Sequence, residues 1–271
     1  MRVALSECMP DYVSYTFPYH VWGFLDEGET VSTALGLGFL PLSLDLSRFY
    51  LTRSIRIHLG EYGPTARTRY VGRRCSHLSS RLVPRSEFEL TPPWQELARV
   101  YFASRTVAAE HRERRFFEMI DAPFTTHVMQ LTDNRSGEPA ALVPVYLEPG
   151  ASAEYGIPVY EPKYLKESIG NHLLAETLAT LRSAGCDYAY LGTCYSNQDL
   201  YKTRFRGMQF FNGYKWSSDR TELHHFIDRQ QPTKQTHLLS TETYLAAFAN
   251  GDPSTFTTLP LLWHISPPAS E

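Results

Sequence analysis

The sequence predicts an α/β (α+β) protein in which a smaller β-rich N-terminal lobe precedes a larger mixed domain. Three observations support this prediction. Short aromatic and β-branched segments, separated by turn residues, fill the first part of the chain. Strand-like and helical segments alternate in the second part. The length of 271 residues, with 42% hydrophobic residues, is enough for one large core or two small ones.

The N-terminal lobe is predicted over residues 1–90. YVSYTFPYHVWGF (residues 12–24) has the aromatic and β-branched content of a strand. GETVSTALGLGFLPL (residues 28–42) predicts a short helix that ends at one of its central glycines. RFYLTRSIRIHL (residues 48–59) alternates in polarity, which predicts one half-buried strand with Arg56 on its more polar face.

The larger domain is predicted over residues 91–230, and it opens with two helices. Thr91 is the candidate N-cap of the first helix, Pro92 is its first residue, and the second helix begins near Ala108. The chain turns polar at RQQPTKQTH, so residues 231–271 are predicted to be an appendage or a partly ordered tail.

The core of the larger domain follows a definite order of elements. FTTHVMQLTD, AALVPVYLE and AEYGIPVYE each predict a strand, with the turn NRSGEP between the first two. SIGNHLLAETLATLRSAG predicts a helix with Ser168 as its N-cap and Gly185 just past its end. CDYAYLGT predicts the next strand. This β-turn-β-β-α-β order fits a GNAT-like (acetyltransferase-like) acyltransferase fold.

The composition and the missing motifs exclude several classes of protein. No run of about 18 apolar residues exists and the first residues lack a secretory apolar stretch, so a cytoplasmic protein without a membrane partner is expected. Cys8, Cys75, Cys186 and Cys194 form no CxxC pair, so neither a disulfide framework nor a metal site is expected. Walker, HExxH and GxSxG motifs are absent, and YLKESIGNH lacks the glycines of an acetyl-CoA loop.

A basic segment stands out in a chain whose net charge is −3. Between Arg48 and Arg85 there are nine arginines, no lysine and one acidic residue, Glu61. This distribution fits either a solvated basic face or a surface for a polyanionic partner. The exclusive use of arginine favours phosphate, because the guanidinium fork matches phosphate oxygens bidentately.

Polar residues gather where the predicted strands end and the predicted helix begins. In α/β sheets, ligands bind where strand C-termini meet helix N-termini. The sequence therefore predicts one cleft at this place, lined by Tyr160, Glu161, Ser168, Tyr190, Asn197 and Lys202.

The segment YAYLGTCYSNQDLYKTRFRGMQFFNGYKW (residues 188–216) resembles a signature of the arginyl-tRNA–protein transferases and the related bacterial leucyl-tRNA–protein transferases. YEP and SIG upstream match that family's YDP and SLG in order, and RFYLTRSIRIHLGEYGPTARTR is similar to its arginine-rich strand and turn. The family's N-terminal cysteine clusters are missing here, and the loop between Tyr190 and Tyr201 is shorter. A metal or iron–sulfur cofactor is therefore not expected.

The resemblance implies transfer of an amino acid, arginine or leucine, from aminoacyl-tRNA to an amine. The acceptor is a protein N-terminus or a small peptide or amine, and no cofactor is needed. The implied catalytic residues are Lys202, Glu161, Asn197 and Tyr190, with Glu161 as the proton acceptor. The implied substrate-binding residues are Tyr160, Ser168, Gly170, Tyr201 and Arg204. The implied tRNA-binding residues are Arg53, Arg56, Arg67, Arg69, Arg73 and Arg74. Two alternatives stay open: an acyl-CoA N-acyltransferase, and a non-catalytic RNA-binding protein on the same fold.

Overall fold

The computed structural model describes residues 1–8, 11, 13, 18–104, 109–228 and 241–252. The strands are β1 (Arg2–Glu7), β2 (Tyr19–Phe24), β3 (Phe39–Pro41), β4 (Phe49–Leu51), β5 (Ser54–His58), β6 (Leu78–Pro84), β7 (His127–Asp133), β8 (Pro139–Glu148), β9 (Ser152–Tyr155), β10 (Val159–Tyr160), β11 (Tyr188–Thr193), β12 (Met208–Phe211) and β13 (Trp216–Ser217). The α-helices are α1 (Val31–Gly36), α2 (Ala66–Arg74), α3 (Pro92–Ala103), α4 (Ala109–Asp121), α5 (Ile169–Ser183), α6 (Arg220–Asp228) and α7 (Glu242–Phe248). Short 3₁₀ helices occupy Arg85–Glu87, Pro162–Glu167 and Asn197–Arg204.

The described strands form two sheets. A small sheet has the order β1-β2-β4-β3, and the main sheet has the order β13-β12-β5-β11-β9-β8-β7-β6, with β10 beside β8. β9 and β11 run parallel, with α5 between them in sequence, and the other recorded strand pairs are antiparallel. The predicted β-turn-β-β-α-β order is therefore present, except that its third strand is divided into β9 and β10, and the mixed α/β (α+β) fold class is confirmed.

The main sheet takes strands from both sides of residue 90. β5 lies between β11 and β12, and β6 pairs with β7 along its whole length. The small sheet and α1 do lie within residues 1–90, but residue 90 is not a border of the main sheet. The boundary predicted there is corrected in this respect, because local composition carries no information about long-range strand pairing.

The single strand predicted over residues 48–59 is two strands in different sheets. β4 pairs with β2 and β3, whereas β5 pairs with β11 and β12. The chain turns at Thr52, whose carbonyl oxygen accepts a hydrogen bond from the Ser54 N–H at 2.8 Å. The alternating pattern continues through this turn, and it therefore concealed the change of sheet. The strand predicted from AEYGIPVYE is likewise divided into β9 and β10.

Both faces of the main sheet are covered. On one face α5 buries Leu173, Leu174 and Leu178 against strand residues such as Ile57 and Ala189. On the other face, α3 and α4 cover the β7–β8 end in one apolar cluster. The small sheet and α1 pack in another cluster that includes Tyr190. Strand alternation decides which residues face α5 and which face the small sheet.

The helix ends agree with the sequence prediction. Thr91 is the N-cap of α3 and Pro92 opens it, although the Thr91 side chain makes no capping hydrogen bond. Ser168 precedes α5 in the left-handed region with φ of 63°, and Gly185, with φ of 81°, follows its end. The predicted helix start near Ala108 lies outside the described residues.

Part of the predicted tail is a docked helix. Tyr244 of α7 is fully buried, and its hydroxyl donates a hydrogen bond to Glu222 of α6 at 2.7 Å. Residues 231–240 and 253–271 of the predicted tail lie outside the described residues. Among the described helices, none is both long enough and apolar enough to cross a membrane.

Candidate functional site

The main sheet opens between its two parallel strands. β9 and β11 pair at Ala153–Ala189 and at Glu154–Tyr190, and no pairing between them is recorded beyond that point. The Gly156 N–H, just after β9, bonds to the Pro144 carbonyl of β8 at 2.9 Å. β11 instead continues along β5. We call this opening beyond the Glu154–Tyr190 pair the fork.

A cluster of tyrosines lies at the fork, three of them on the α5 side and the fourth, Tyr101, on α3. We call Tyr101, Tyr155, Tyr160 and Tyr201 the tyrosine cluster. Burial raises the pKa of Tyr155 well above its usual value, and the other three members add to the effect. The rings of Tyr101 and Tyr160 meet edge to face at 4.7 Å. Tyr160 also lies on Gly170, where a Cβ would be 3.1 Å from the Tyr160 ring. Three of the predicted substrate-binding residues, Tyr160, Gly170 and Tyr201, therefore lie together.

A pocket of about 220 Å³ adjoins this cluster, because Tyr201 lines it as well. Arg67 at the start of α2, Asn171 in the first turn of α5 and Arg204 contribute its polar lining. The other lining residues are Thr65, Ala66, Thr68, Val71 and Phe205. Arg67 and Arg204 are exposed, and neither has a hydrogen-bond or ion-pair partner among the described residues. Two unpaired guanidinium groups beside aromatic walls suit an anionic ligand with a planar ring.

The predicted tRNA-binding arginines fall into two groups. Arg67, Arg69, Arg73 and Arg74 all lie exposed on α2, which has no acidic residue. Arg53 is half-buried, with its guanidinium 4.8 Å from the ring centre of Tyr195 and 4.8 Å from that of Phe226. The α2 group therefore forms an exposed basic surface that continues from the pocket.

Arg56 is buried, contrary to its predicted place on a polar strand face. Its guanidinium lies between the rings of Tyr188 and Trp216, each 4.0 Å from the ring centre. It donates to Gln209 Oε1 at 2.8 Å and to the Tyr190 hydroxyl at 3.3 Å. Among the described residues no carboxylate pairs with it. Strand alternation was predicted correctly, but the small sheet and β13 cover the face that was expected to meet solvent.

Arg56 belongs to a row of polar residues that crosses the sheet. In strand register, Tyr146 pairs with Glu154, Glu154 with Tyr190, Tyr190 with Arg56, and Arg56 with Gln209. We call these five residues the polar row. Directly paired residues point to the same face, so the row lies on the side of the small sheet, opposite α5.

Glu154 is the member of the polar row that sequence reasoning missed. Its side chain is buried and its Oε2 has no hydrogen-bond partner among the described residues. Desolvation raises the pKa of Glu154 to about 8. One signal was present in the sequence: a glutamate follows two small residues and precedes a tyrosine in a predicted buried strand.

The predicted catalytic residue Lys202 is engaged within the chain. Its Nζ donates to the Thr193 carbonyl at 2.7 Å and lies 3.6 Å from Asp199 Oδ1. Burial lowers the pKa of Lys202, while Asp199 acts in the opposite direction. Asp199 also accepts hydrogen bonds from the backbone N–H groups of Tyr195 and Ser196. Lys202 and Asp199 together therefore hold the loop that follows β11.

The predicted residues do not line one cleft, because the sheet divides them. Tyr160 lies on the α5 side of the fork, whereas Tyr190 faces the small sheet. Asn197 is exposed at the start of its 3₁₀ helix. Glu161 is half-buried and precedes another 3₁₀ helix. The site is therefore two-sided, with the pocket and tyrosine cluster on one face and the polar row on the other.

Comparison with known proteins finds distant relatives of this chain by sequence. No protein-family model matches the chain. The aspartate/glutamate leucyltransferase of Ruegeria pomeroyi is 27% identical over 210 residues, which cover 73% of this chain and 70% of that protein. The protein of the same name from Jannaschia sp. is 26% identical over 197 residues, which cover 70% of this chain and 65% of that protein.

Solved structures show weaker likeness. L-PGS from Bacillus licheniformis is similar with a TM-score of 0.42 and 10% identity, covering 73% of this chain and 67% of that one. A GCN5-related N-acetyltransferase from Kribbella flavida has a TM-score of 0.29 and 13% identity, covering 52% of this chain and 47% of that one.

The sequence matches confirm the resemblance to the leucyltransferase family that the sequence predicts. The chain is similar to proteins named aspartate/glutamate leucyltransferase, at 25–27% identity over 65–73% of its length.

Proposed function

We propose that the protein is an aminoacyl-tRNA-dependent aminoacyltransferase that moves leucine from charged tRNA to an amine. The observation that carries the proposal is the two-sided fork. On one side it has a pocket with unpaired Arg67 and Arg204, which suits a nucleic-acid end. On the other it has the polar row, which suits a charged acceptor. The names of the curated relatives favour leucine over arginine.

The α2 side of the fork is the proposed tRNA-binding surface. Arg69, Arg73 and Arg74 of α2 bind backbone phosphates of the acceptor stem, where affinity is electrostatic and independent of sequence. Arg67 and Arg204 bind the last phosphates, and Tyr201 and Phe205 provide ring surfaces for the unpaired 3′ bases. Because Tyr201 also belongs to the tyrosine cluster, the esterified end of the tRNA reaches the fork from this pocket.

The reaction is aminolysis of an activated ester, so it requires neither ATP nor a covalent enzyme intermediate. The protein positions the amine against the ester carbonyl and stabilises the oxyanion. The Tyr190 hydroxyl accepts a bond from Arg56, and its own proton has no acceptor among the described residues. Tyr190 is therefore the proposed oxyanion donor, Asn197 and Ser168 orient the aminoacyl end, and Lys202 holds the loop after β11 in place.

The proposed acceptor is an N-terminal aspartate or glutamate, because the relatives are named for aspartate and glutamate. Arg56 suits this acceptor, because its buried charge has no carboxylate partner among the described residues. A small peptide or amine is the alternative acceptor. The proposed location is the cytoplasm, where charged tRNA is available.

The test is incubation of the protein with a pool of charged tRNAs and a panel of amines, with mass spectrometry of the acceptors. We expect a leucine adduct on a peptide that begins with Asp or Glu, and none without charged tRNA. Parallel incubation with acyl-CoA thioesters tests the alternative chemistry. Acyl transfer from CoA, with no transfer from any tRNA, would refute the proposal.

A further inference from the structure

Glu154 occupies the apex of the fork. Glu154 pairs with Tyr190 of β11, and this is the last residue pair between β9 and β11 before the strands separate. On its other side Glu154 pairs with Tyr146 of β8. Burial raises the pKa of Tyr50 on β4 of the small sheet, and Glu154 adds to this effect, so this strand too packs near the carboxyl. The side chain therefore lies where the sheet opens, on the face opposite the pocket.

The carboxyl of Glu154 is buried and incompletely bonded. Glu154 is 7% exposed, and its Oε2 has no hydrogen-bond partner among the described residues. The titratable groups around it are the phenols of Tyr146, Tyr190 and Tyr50, with Arg56 one strand beyond Tyr190. No Lys, Arg or His of the described chain forms an ion pair with it. A buried carboxyl that lacks a hydrogen-bond donor lowers the free energy of unfolding, unless a ligand supplies that donor.

We propose that Glu154 is the catalytic base that takes the proton from the attacking ammonium group of the acceptor. This inference rests on the proposed function, and it assigns the amine to the polar-row side of the fork. The ammonium supplies the donor that Oε2 lacks. Burial raises the pKa of Glu154 to about 8, which is close to the ordinary value of an α-amino group, about 7.7–8.0. Matched pKa values allow proton transfer in both directions at little cost.

The step balances without another reactant. The Glu154 carboxylate takes one proton from the ammonium and leaves a free amine. The amine nitrogen attacks the ester carbonyl carbon, so the C–N bond forms and the bond from carbon to the ribose oxygen breaks. The second proton of the nitrogen passes to the departing ribose oxygen. The proton on Glu154 is then released to solvent, which restores the carboxylate.

Glu161, the base expected from the sequence, lies elsewhere. It precedes the 3₁₀ helix Pro162–Glu167 and is half-exposed, with its N–H bonded to the Ala140 carbonyl of β8. It is not part of the recorded β9–β11 pairing that forms the fork. Glu154 is thus better placed than Glu161 for proton transfer at the fork.

The test compares two nucleophiles in the Glu154→Gln variant. An acceptor peptide needs a base to lose its proton, whereas hydroxylamine is unprotonated at neutral pH and does not. We expect the single-turnover rate with the peptide to fall by about 10²-fold or more, the usual scale of general base catalysis. The enzyme-dependent rate with hydroxylamine is expected to change by at most about threefold, because the ester side of the site is intact.

Glu222→Gln is the matched control, because this buried carboxylate bonds to Asn212 and Tyr244, residues of neither the fork nor the polar row. It is expected to lower stability and to leave the ratio of the two rates unchanged. A normal peptide rate in Glu154→Gln would overturn the inference, and so would an equal loss with both nucleophiles. If the unaltered protein transfers from no charged tRNA, the proposed function itself fails. If the unaltered protein transfers the amino acid and the Glu154→Gln variant is equally active, only the proposed role of Glu154 is refuted.

Discussion

Replacement of Glu154 by Gln is expected to stabilise the protein at alkaline pH while it removes activity. The carboxyl is buried, and desolvation raises its pKa from 4.5 to about 8. A carboxyl whose pKa is higher in the folded state binds more protons when folded than when unfolded. The free energy of unfolding therefore falls as pH rises through this window.

The magnitude follows from the two pKa values. Well below pH 4.5 the carboxyl is protonated in both states and Glu154 contributes no pH dependence. Between pH 5.5 and pH 8 the unfolded carboxyl is almost fully ionised, whereas the folded carboxyl is protonated at pH 5.5 and only half ionised at pH 8. This difference corresponds to a loss of about 3 kcal/mol in the unfolding free energy. Glutamine does not titrate, so the variant lacks this loss. Because Oε2 of Glu154 has no hydrogen-bond partner among the described residues, the Glu154→Gln substitution removes no hydrogen bond at this atom.

Urea unfolding of both proteins at pH 5.5 and pH 8 measures this difference. The gap between the variant and the unaltered protein is expected to grow by about 3 kcal/mol in favour of the variant between these two pH values. Other titrating groups are common to both proteins and cancel from the difference. Equal pH dependence in the two proteins would mean that Glu154 is ionised and solvated in the folded state, contrary to this prediction.

Three further predictions concern the other side of the fork and the absence of metal. The double variant Arg67→Ala, Arg204→Ala is expected to weaken tRNA binding and to lower the slope of log affinity against log salt by about 2, and an unchanged slope refutes the phosphate contacts. Arg81→Ala is the control, because Arg81 is exposed and does not line the pocket. Lys202→Met is expected to lower the unfolding free energy by about 1–3 kcal/mol, because the charged bond to the Thr193 carbonyl is lost; an unchanged urea midpoint contradicts this. Elemental analysis of the purified protein is expected to find neither zinc nor iron at one atom per chain, and a stoichiometric metal would overturn the interpretation of the cysteines.

The order of elements around α5 was predictable from the sequence. Ser168 and Gly185 mark the ends of one helix, and the strand patterns before and after it are strong. These signals depend on neighbours in the chain, and the structure confirms them. The tyrosine cluster was predictable in part, because Tyr160, Gly170 and Tyr201 lie in segments that resemble the family.

The sequence did not predict that the site residues lie on both faces of the main sheet. The place of Arg56 depends on the small sheet and on β13, which approach it from distant parts of the chain. The sequence around Glu154 is that of an ordinary strand. Glu154 is a candidate catalytic residue only because its carboxyl is buried and its Oε2 lacks a hydrogen-bond partner among the described residues. Lys202 is directed to Thr193 and Asp199 by the course of the loop after β11. All three depend on tertiary contacts, which hydrophobic periodicity does not encode.

In the proposed reaction an amino acid passes from tRNA to the acceptor through the fork. The most direct test of this transfer is a single-turnover reaction of the protein with leucyl-tRNA and a peptide that begins with aspartate, followed by the mass of the peptide. We expect a peptide that is heavier by one leucine residue, with the new amide at its N-terminus and an equal amount of tRNA deacylated. An unmodified peptide beside intact leucyl-tRNA, with the folded protein shown to bind that tRNA, would rule out the proposed reaction.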